Sequence, residues 1–97
     1  ILLEVYDAIL DGKARRPDGS YVASLFAKGA DQILKKIAEE SAEVLLAATA
    51  GDRERLVREM ADLWFHSLVV LADKGVRPEE IARELARRFG KRKSAGV

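Results

Sequence analysis

KKIAEESAEVLLAA, residues 35–48, is the stretch that decides the fold. Ile33, Ile37, Val44 and Ala47 stand seven, three, four and seven residues from Glu40. Those are helical offsets, and they place all five residues on one stripe. The stripe is the inward face of an amphipathic helix, yet its centre is a carboxylate. An unpartnered buried charge is costly, so two questions arise together: what packs on this helix, and what sits beside Glu40.

Helical periodicity continues in both directions from this segment, and strand-like alternation is absent. ILLEVYDAIL (1–10) predicts a first helix with Leu2, Val5, Tyr6 and Ile9 on one side, ending at Asp11-Gly12. KARRPDG (13–19) reads as a polar loop with a Pro-Asp-Gly turn. Ser20 is positioned to cap a short helix, YVASLFAK, which Gly29 stops. The helix holding Glu40 is expected from about Ala30 to Thr49, closed by Gly51. Asp52 then caps a helix reaching about Lys74, and Gly75 breaks it. Pro78 opens a last helix, with Glu79 and Glu80 at the positive end of its dipole and Gly90 at its end. KRKSAGV (91–97) is small and polar and is expected to be a disordered tail. With no repeat and no long linker, the expectation is one all-α domain over residues 1–90, an antiparallel helical bundle with short loops.

The helix after Gly51 is apolar over most of its circumference, through Leu56, Val57, Met60, Leu63, Trp64, Phe65, Leu68, Val70, Leu71 and Ala72. Such a helix is buried on several sides, as at the centre of a bundle or a dimer. Its polar strip is narrow: Arg55, Glu59, Asp62, His66 and Asp73.

The totals exclude several classes. A chain of 97 residues buries only roughly 60–70% of its unfolded surface, so a partner subunit would help it. Seventeen Lys and Arg against sixteen Asp and Glu leave a net charge of +1, which recruits neither nucleic acid nor a membrane surface. The absence of cysteine removes disulfides, thiol nucleophiles and cysteine-zinc sites, and it fits a reducing cytoplasm. No apolar run approaches the roughly 20 residues of a membrane span, and no signal-peptide pattern opens the chain. The first residue is Ile1 rather than Met, which leaves room for preceding residues.

Glu40 and Glu43 form E-x-x-E on one helix, and Glu59 and Asp62 form E-x-x-D on the next. Glu43 lies eight residues before Gly51 and Glu59 eight after; Glu40 lies eleven before and Asp62 eleven after. In a straight antiparallel hairpin, the two layers stand about 12 and about 16 Å from the turn. Lys36 and His66, each fifteen residues from Gly51, lie level just beyond. Two carboxylates about 6 Å apart repel by about 3 kcal/mol at an effective dielectric near 20. The cluster therefore calls for a cation, or for some of the acids to stay protonated. An all-oxygen donor set suits a hard one, Mg²⁺ before Mn²⁺, and phosphoanhydride hydrolysis is the natural chemistry.

The ordinary alternative is a set of solvated acids in i,i+4 pairs: Lys35–Glu39, Lys36–Glu40, Arg55–Glu59 and Arg58–Asp62. All four run in the weaker base-first orientation. Glu39 points about 100° away from the Glu40–Glu43 face and is either solvated or reaches a metal or water from the rim. His66 is either a packed, hydrogen-bonded core histidine or a substrate contact. Lys36 lies beside the acids and could hold a phosphate. Lys35, Lys28, Arg15 and Arg16 are either solvated or grip polyphosphate, and Trp64 and Phe65 are most simply core or interface.

SYVASLFAKGADQILKKIAEESAEVLLAA, followed by EMADLWFHSLVVL and ELARR, resembles the phosphoribosyl-ATP pyrophosphohydrolase family, within the all-α MazG-like nucleotide pyrophosphatases. The likeness runs from Ser20 to about Arg88, with Val22 and Trp64-Phe65 as minor departures. It implies Mg²⁺-dependent hydrolysis of phosphoribosyl-ATP to phosphoribosyl-AMP and pyrophosphate in histidine biosynthesis, by a cytoplasmic homodimer. It further implies Glu40, Glu43, Glu59 and Asp62 as metal ligands. Glu39, Glu40 and Lys36 would serve catalysis, and Lys28, Lys35, Lys36 and His66 would bind substrate. With no cysteine, a fused cyclohydrolase with cysteine zinc ligands is not expected. The rivals are a house-cleaning nucleoside triphosphate pyrophosphatase of the same superfamily, a di-iron bundle, which characteristically uses Glu-x-x-His pairs, and a non-catalytic interaction module.

Overall fold

The computed structural model describes residues 1–90, so the tail expected over 91–97 lies outside the described residues. Five helices follow in order: α1 (Leu2–Arg15), α2 (Tyr21–Lys28), α3 (Ala30–Ala50), α4 (Arg53–Lys74) and α5 (Pro78–Phe89). No strand occurs among the described residues, and none of the helices is long and apolar enough to cross a membrane. The all-α expectation holds.

Most helix ends fall where the local chemistry puts them. The Ser20 side chain accepts from the Ala23 amide at 3.2 Å, and Asp52 does the same for Arg55 at 3.1 Å. Gly51 closes α3 with φ of 70°, a left-handed conformation that a glycine adopts without a steric penalty. The short Gly51-Asp52 link then folds α4 back along α3.

The end of α1 corrects the sequence reading. The helix does not stop at Asp11-Gly12 but continues through Lys13 and Ala14 to Arg15. Gly12 is buried, and a β-carbon there would sit 2.8 Å from Val22 Cγ1. The glycine admits α2 close against α1 rather than breaking the helix.

The core comprises Tyr6, Ile9, Leu25, Phe26, Ile33, Leu68, Val69 and Ala72, drawn from α1, α2, α3 and α4. The Tyr6 hydroxyl donates to the Val76 carbonyl at 2.7 Å, and the Lys13 ammonium to that of Ala72 at 3.0 Å. These bonds fix α1 to the end of α4. By contrast, α5 has no buried residue, and Ile81, Leu85 and Phe89 face outward.

Candidate metal and nucleotide site

The α3–α4 hairpin brings Glu40, Glu59 and Asp62 together, with one carboxylate oxygen of each within 4.8 Å of the others. The Glu40 side chain is 12% exposed; Ile33 and Ala47 of the same stripe are buried, as the spacing required. Lys36, one turn earlier on α3, stands 3.8 Å from Glu40 and 3.4 Å from Glu39. Burial alone would pull Lys36 down. Tyr21, Glu39 and Glu40 around its ammonium outweigh that and hold its pKa above the ordinary lysine value.

Glu43 departs from the expected convergence. Its carboxylate takes the Arg55 guanidinium at 3.1 Å and stands outside the three-acid group. Arg55 lies four residues beyond Gly51, nearer the turn than Glu43, and its long side chain spans the difference. It forms this inter-helix pair in place of the expected i,i+4 pair with Glu59. Glu40 consequently meets both Glu59 and Asp62, instead of each acid meeting only its mirror image.

The other candidates divide. Glu39 turns to Lys36 and to Lys35, 4.0 Å away, and sits on the rim. Lys28 is exposed in the last turn of α2. Arg15 pairs with Asp11 at 2.9 Å, and the Arg16 side chain turns back to the Lys13 carbonyl. His66 is buried, the first of the two readings left open for it. Its Nε2 lies 2.7 Å from the Tyr21 hydroxyl and its Nδ1 2.8 Å from the Asp62 carbonyl, so no ring nitrogen is left for direct substrate contact.

Three carboxylates on two helices suit a hard cation in scale as well as charge. Around an ion with oxygens at about 2.1 Å, neighbouring ligands stand about 3 Å apart and opposite ones about 4.2 Å. The 4.8 Å bound on the observed triangle lies within an ångström of the wider of those spacings.

Similarity to known proteins agrees with this geometry. The family described as Phosphoribosyl-ATP pyrophosphohydrolase matches residues 2–89. The chain is 52% identical over 90 residues to the Phosphoribosyl-ATP pyrophosphatase of Geobacter sulfurreducens, covering 93% of this chain and 83% of that protein. It is 53% identical over 92 residues to the protein of that name from Pelotomaculum thermopropionicum, covering 95% and 94%. The chain belongs to the phosphoribosyl-ATP pyrophosphohydrolase family.

Two residues of this family member went unassigned from the sequence. The i,i+4 spacing pairs Arg55 locally with Glu59, and Tyr21 stands only as the first residue of the helix that Ser20 caps. An aromatic residue with a polar tip immediately after a capping serine was the available signal for Tyr21. For Arg55 the sequence holds none, because its partner is chosen by the hairpin register.

Proposed function

We propose that this chain hydrolyses phosphoribosyl-ATP to phosphoribosyl-AMP and pyrophosphate in histidine biosynthesis, with Mg²⁺ held by Glu40, Glu59 and Asp62. The observation that carries this reading is the triangle of carboxylate oxygens within 4.8 Å, flanked by the Lys36 ammonium at 3.8 Å. Release of pyrophosphate means that the anhydride between the α and β phosphates is the bond broken. The cation, when bound, neutralises phosphate oxygens and lowers the pKa of water.

The remaining work falls to side chains. Lys36 keeps its positive charge and takes a phosphate oxygen, with Lys35 and Lys28 further out along the polyphosphate. Glu39, on the rim beside Lys36, takes the proton of the attacking water. Glu43 is one turn from Glu40 on the same face and is held by an ion pair that is partly open to solvent. Such pairs contribute only about 0–1 kcal/mol, so Glu43 can exchange Arg55 for a place among the ligands.

A second copy of the chain completes the bundle in this reading. Leu34, Ile37, Trp64, Leu71, Ile81 and Leu85 line an apolar groove of about 720 Å³, in which Trp64 is 55% exposed. The radius of gyration is 15.6 Å, against about 12.5 Å expected for a compact chain of this length. A symmetric partner laid along α4 and α5 would bury that surface. The cysteine-free composition fits a cytoplasmic setting.

The test is pyrophosphate release by purified protein from phosphoribosyl-ATP, set beside ATP and other nucleoside triphosphates, with and without Mg²⁺. Strong preference for phosphoribosyl-ATP and loss of turnover in chelator are expected. Equal use of simple triphosphates would favour the house-cleaning reading instead. Glu40→Gln should abolish turnover while leaving the far-ultraviolet circular dichroism spectrum unchanged.

A further inference from the structure

Tyr21 and His66 join α2 to α4 immediately beside the three acids. The Asp62 carbonyl can only accept, so the ring proton of His66 is on Nδ1, facing it at 2.8 Å. In the neutral imidazole, Nε2 is then an acceptor, and the Tyr21 hydroxyl at 2.7 Å must donate to it. Edge-on contacts hold the ring in place, with Phe65 at 5.1 Å and Tyr21 at 5.7 Å between centroids. The phenolic proton is therefore committed before any substrate arrives.

That commitment sets what the phenol can recognise. A Tyr21 oxygen that has given up its proton offers only lone pairs to the solvent side, where the residue is 49% exposed. It repels a phosphate oxygen and welcomes an O–H donor. Its position fits such a role. His66 is one turn, about 6 Å, beyond Asp62 on α4, and Lys36 is one turn beyond Glu40 on α3. Lys36 and His66 therefore lie level with each other past the acids, and Tyr21 is bonded to His66. A sugar next to a phosphate held by Lys36 thus comes within reach of the hydroxyl.

We propose that Tyr21 binds substrate by accepting a hydrogen bond from a sugar hydroxyl, and that His66 is the positioning residue that makes its oxygen an obligate acceptor. The inference rests on the reaction proposed above and supplies a recognition element for it. Phosphoribosyl-ATP carries two sugars, the ribose of the adenosine and that of the added phosphoribosyl group, and either presents the required chemistry.

Steady-state kinetics on the full chain test this. Tyr21→Phe is expected to raise KM for phosphoribosyl-ATP about tenfold, the equivalent of one hydrogen bond, with kcat within about twofold. Analogues lacking the 2′ and 3′ hydroxyls of one sugar or the other locate the donor. One of them should cost the unsubstituted protein the same factor in KM and cost Tyr21→Phe nothing more. His66→Asn keeps a donor for the Asp62 carbonyl but cannot reach Tyr21. It should raise KM as Tyr21→Phe does, and the double variant should be no worse than either. Unchanged KM in Tyr21→Phe, or losses that add for both analogues, would overturn the inference. Should His66→Asn fail to fold, the Tyr21 arm decides alone. Turnover by the unsubstituted protein separates the two claims: when it is present, a flat Tyr21→Phe result overturns this inference only, and its absence overturns both.

Discussion

Asp62→Asn should make the metal-free protein more stable and the metal-loaded protein less so. The Asp62 carboxylate has an oxygen within 4.8 Å of those of Glu40 and Glu59. At that distance, two like charges repel by about 3.5 kcal/mol at a dielectric near 20 and by about 0.9 kcal/mol in bulk water. Asp62 is exposed, so the water end applies, and its two repulsions come to about 2 kcal/mol. Lys36 offsets part of the burden on Glu40, whereas no cation stands within ion-pairing distance of Asp62 among the described residues.

Neutralising Asp62 therefore removes repulsion and breaks no ion pair. In chelator, the midpoint of thermal unfolding should rise by about 8–16 °C, given about 4–8 °C per kcal/mol for a domain of this size. Mg²⁺ at a hundred times its dissociation constant stabilises a one-site protein by about 2.7 kcal/mol. The unsubstituted chain should gain that increment and Asp62→Asn should lose most of it, so the order of stabilities inverts. Circular dichroism melts at one fixed protomer concentration read both arms. A variant less stable than its parent in chelator would refute the crowded-acid account. Equal gains from Mg²⁺ would remove Asp62 from the ligand set.

Three further outcomes are expected. Gly12→Ala meets Val22 Cγ1 at 2.8 Å; overpacking of about 1–3 kcal/mol outweighs the roughly 1 kcal/mol gain in helix propensity. Urea unfolding should show a loss of about 1 kcal/mol that Val22→Ala relieves when combined with it. Tyr6→Phe leaves the Val76 carbonyl without its 2.7 Å donor and should cost about 1–2 kcal/mol in the same measurement. Trp64→Glu places a charge in the apolar groove, and sedimentation should change from a dimer to a monomer of 10.7 kDa.

Helix ends were legible wherever the cause is local. Ser20, Gly29, Gly51, Asp52 and Pro78 each act on amides or carbonyls within a few residues, so spacing alone reveals them. Gly12 misled for the opposite reason: it resembles a terminator, while its lack of a side chain is used by Val22, ten residues on. Counting outward from Gly51 found Glu40, Glu59 and Asp62 but misplaced Glu43, because straight rods of equal rise ignore how far Arg55 reaches. His66, on the polar strip of α4, read equally as a packed core histidine and as a substrate contact. Its burial comes from α2, which returns over that strip and lays Tyr21 against it, a consequence of tertiary path that no periodicity encodes.

The two faces of the α3–α4 hairpin account for an otherwise contradictory helix. On one face, α4 carries Glu59 and Asp62 against Glu40; around the same helix, Trp64 and Leu71 line the groove. On α3, Lys36 and Glu40 belong to the acidic site, while Leu34 and Ile37 line that groove. The acids repel and push the two helices apart, and only packing behind them or a cation between them resists that push. A chain with eight residues in its core cluster supplies limited resistance by itself. Covering the groove with a second copy would brace both helices from behind, so that the carboxylates stay close enough to share an ion. In this arrangement, the apolar girth of α4 and the charge buried in the stripe of α3 are two requirements of the same site.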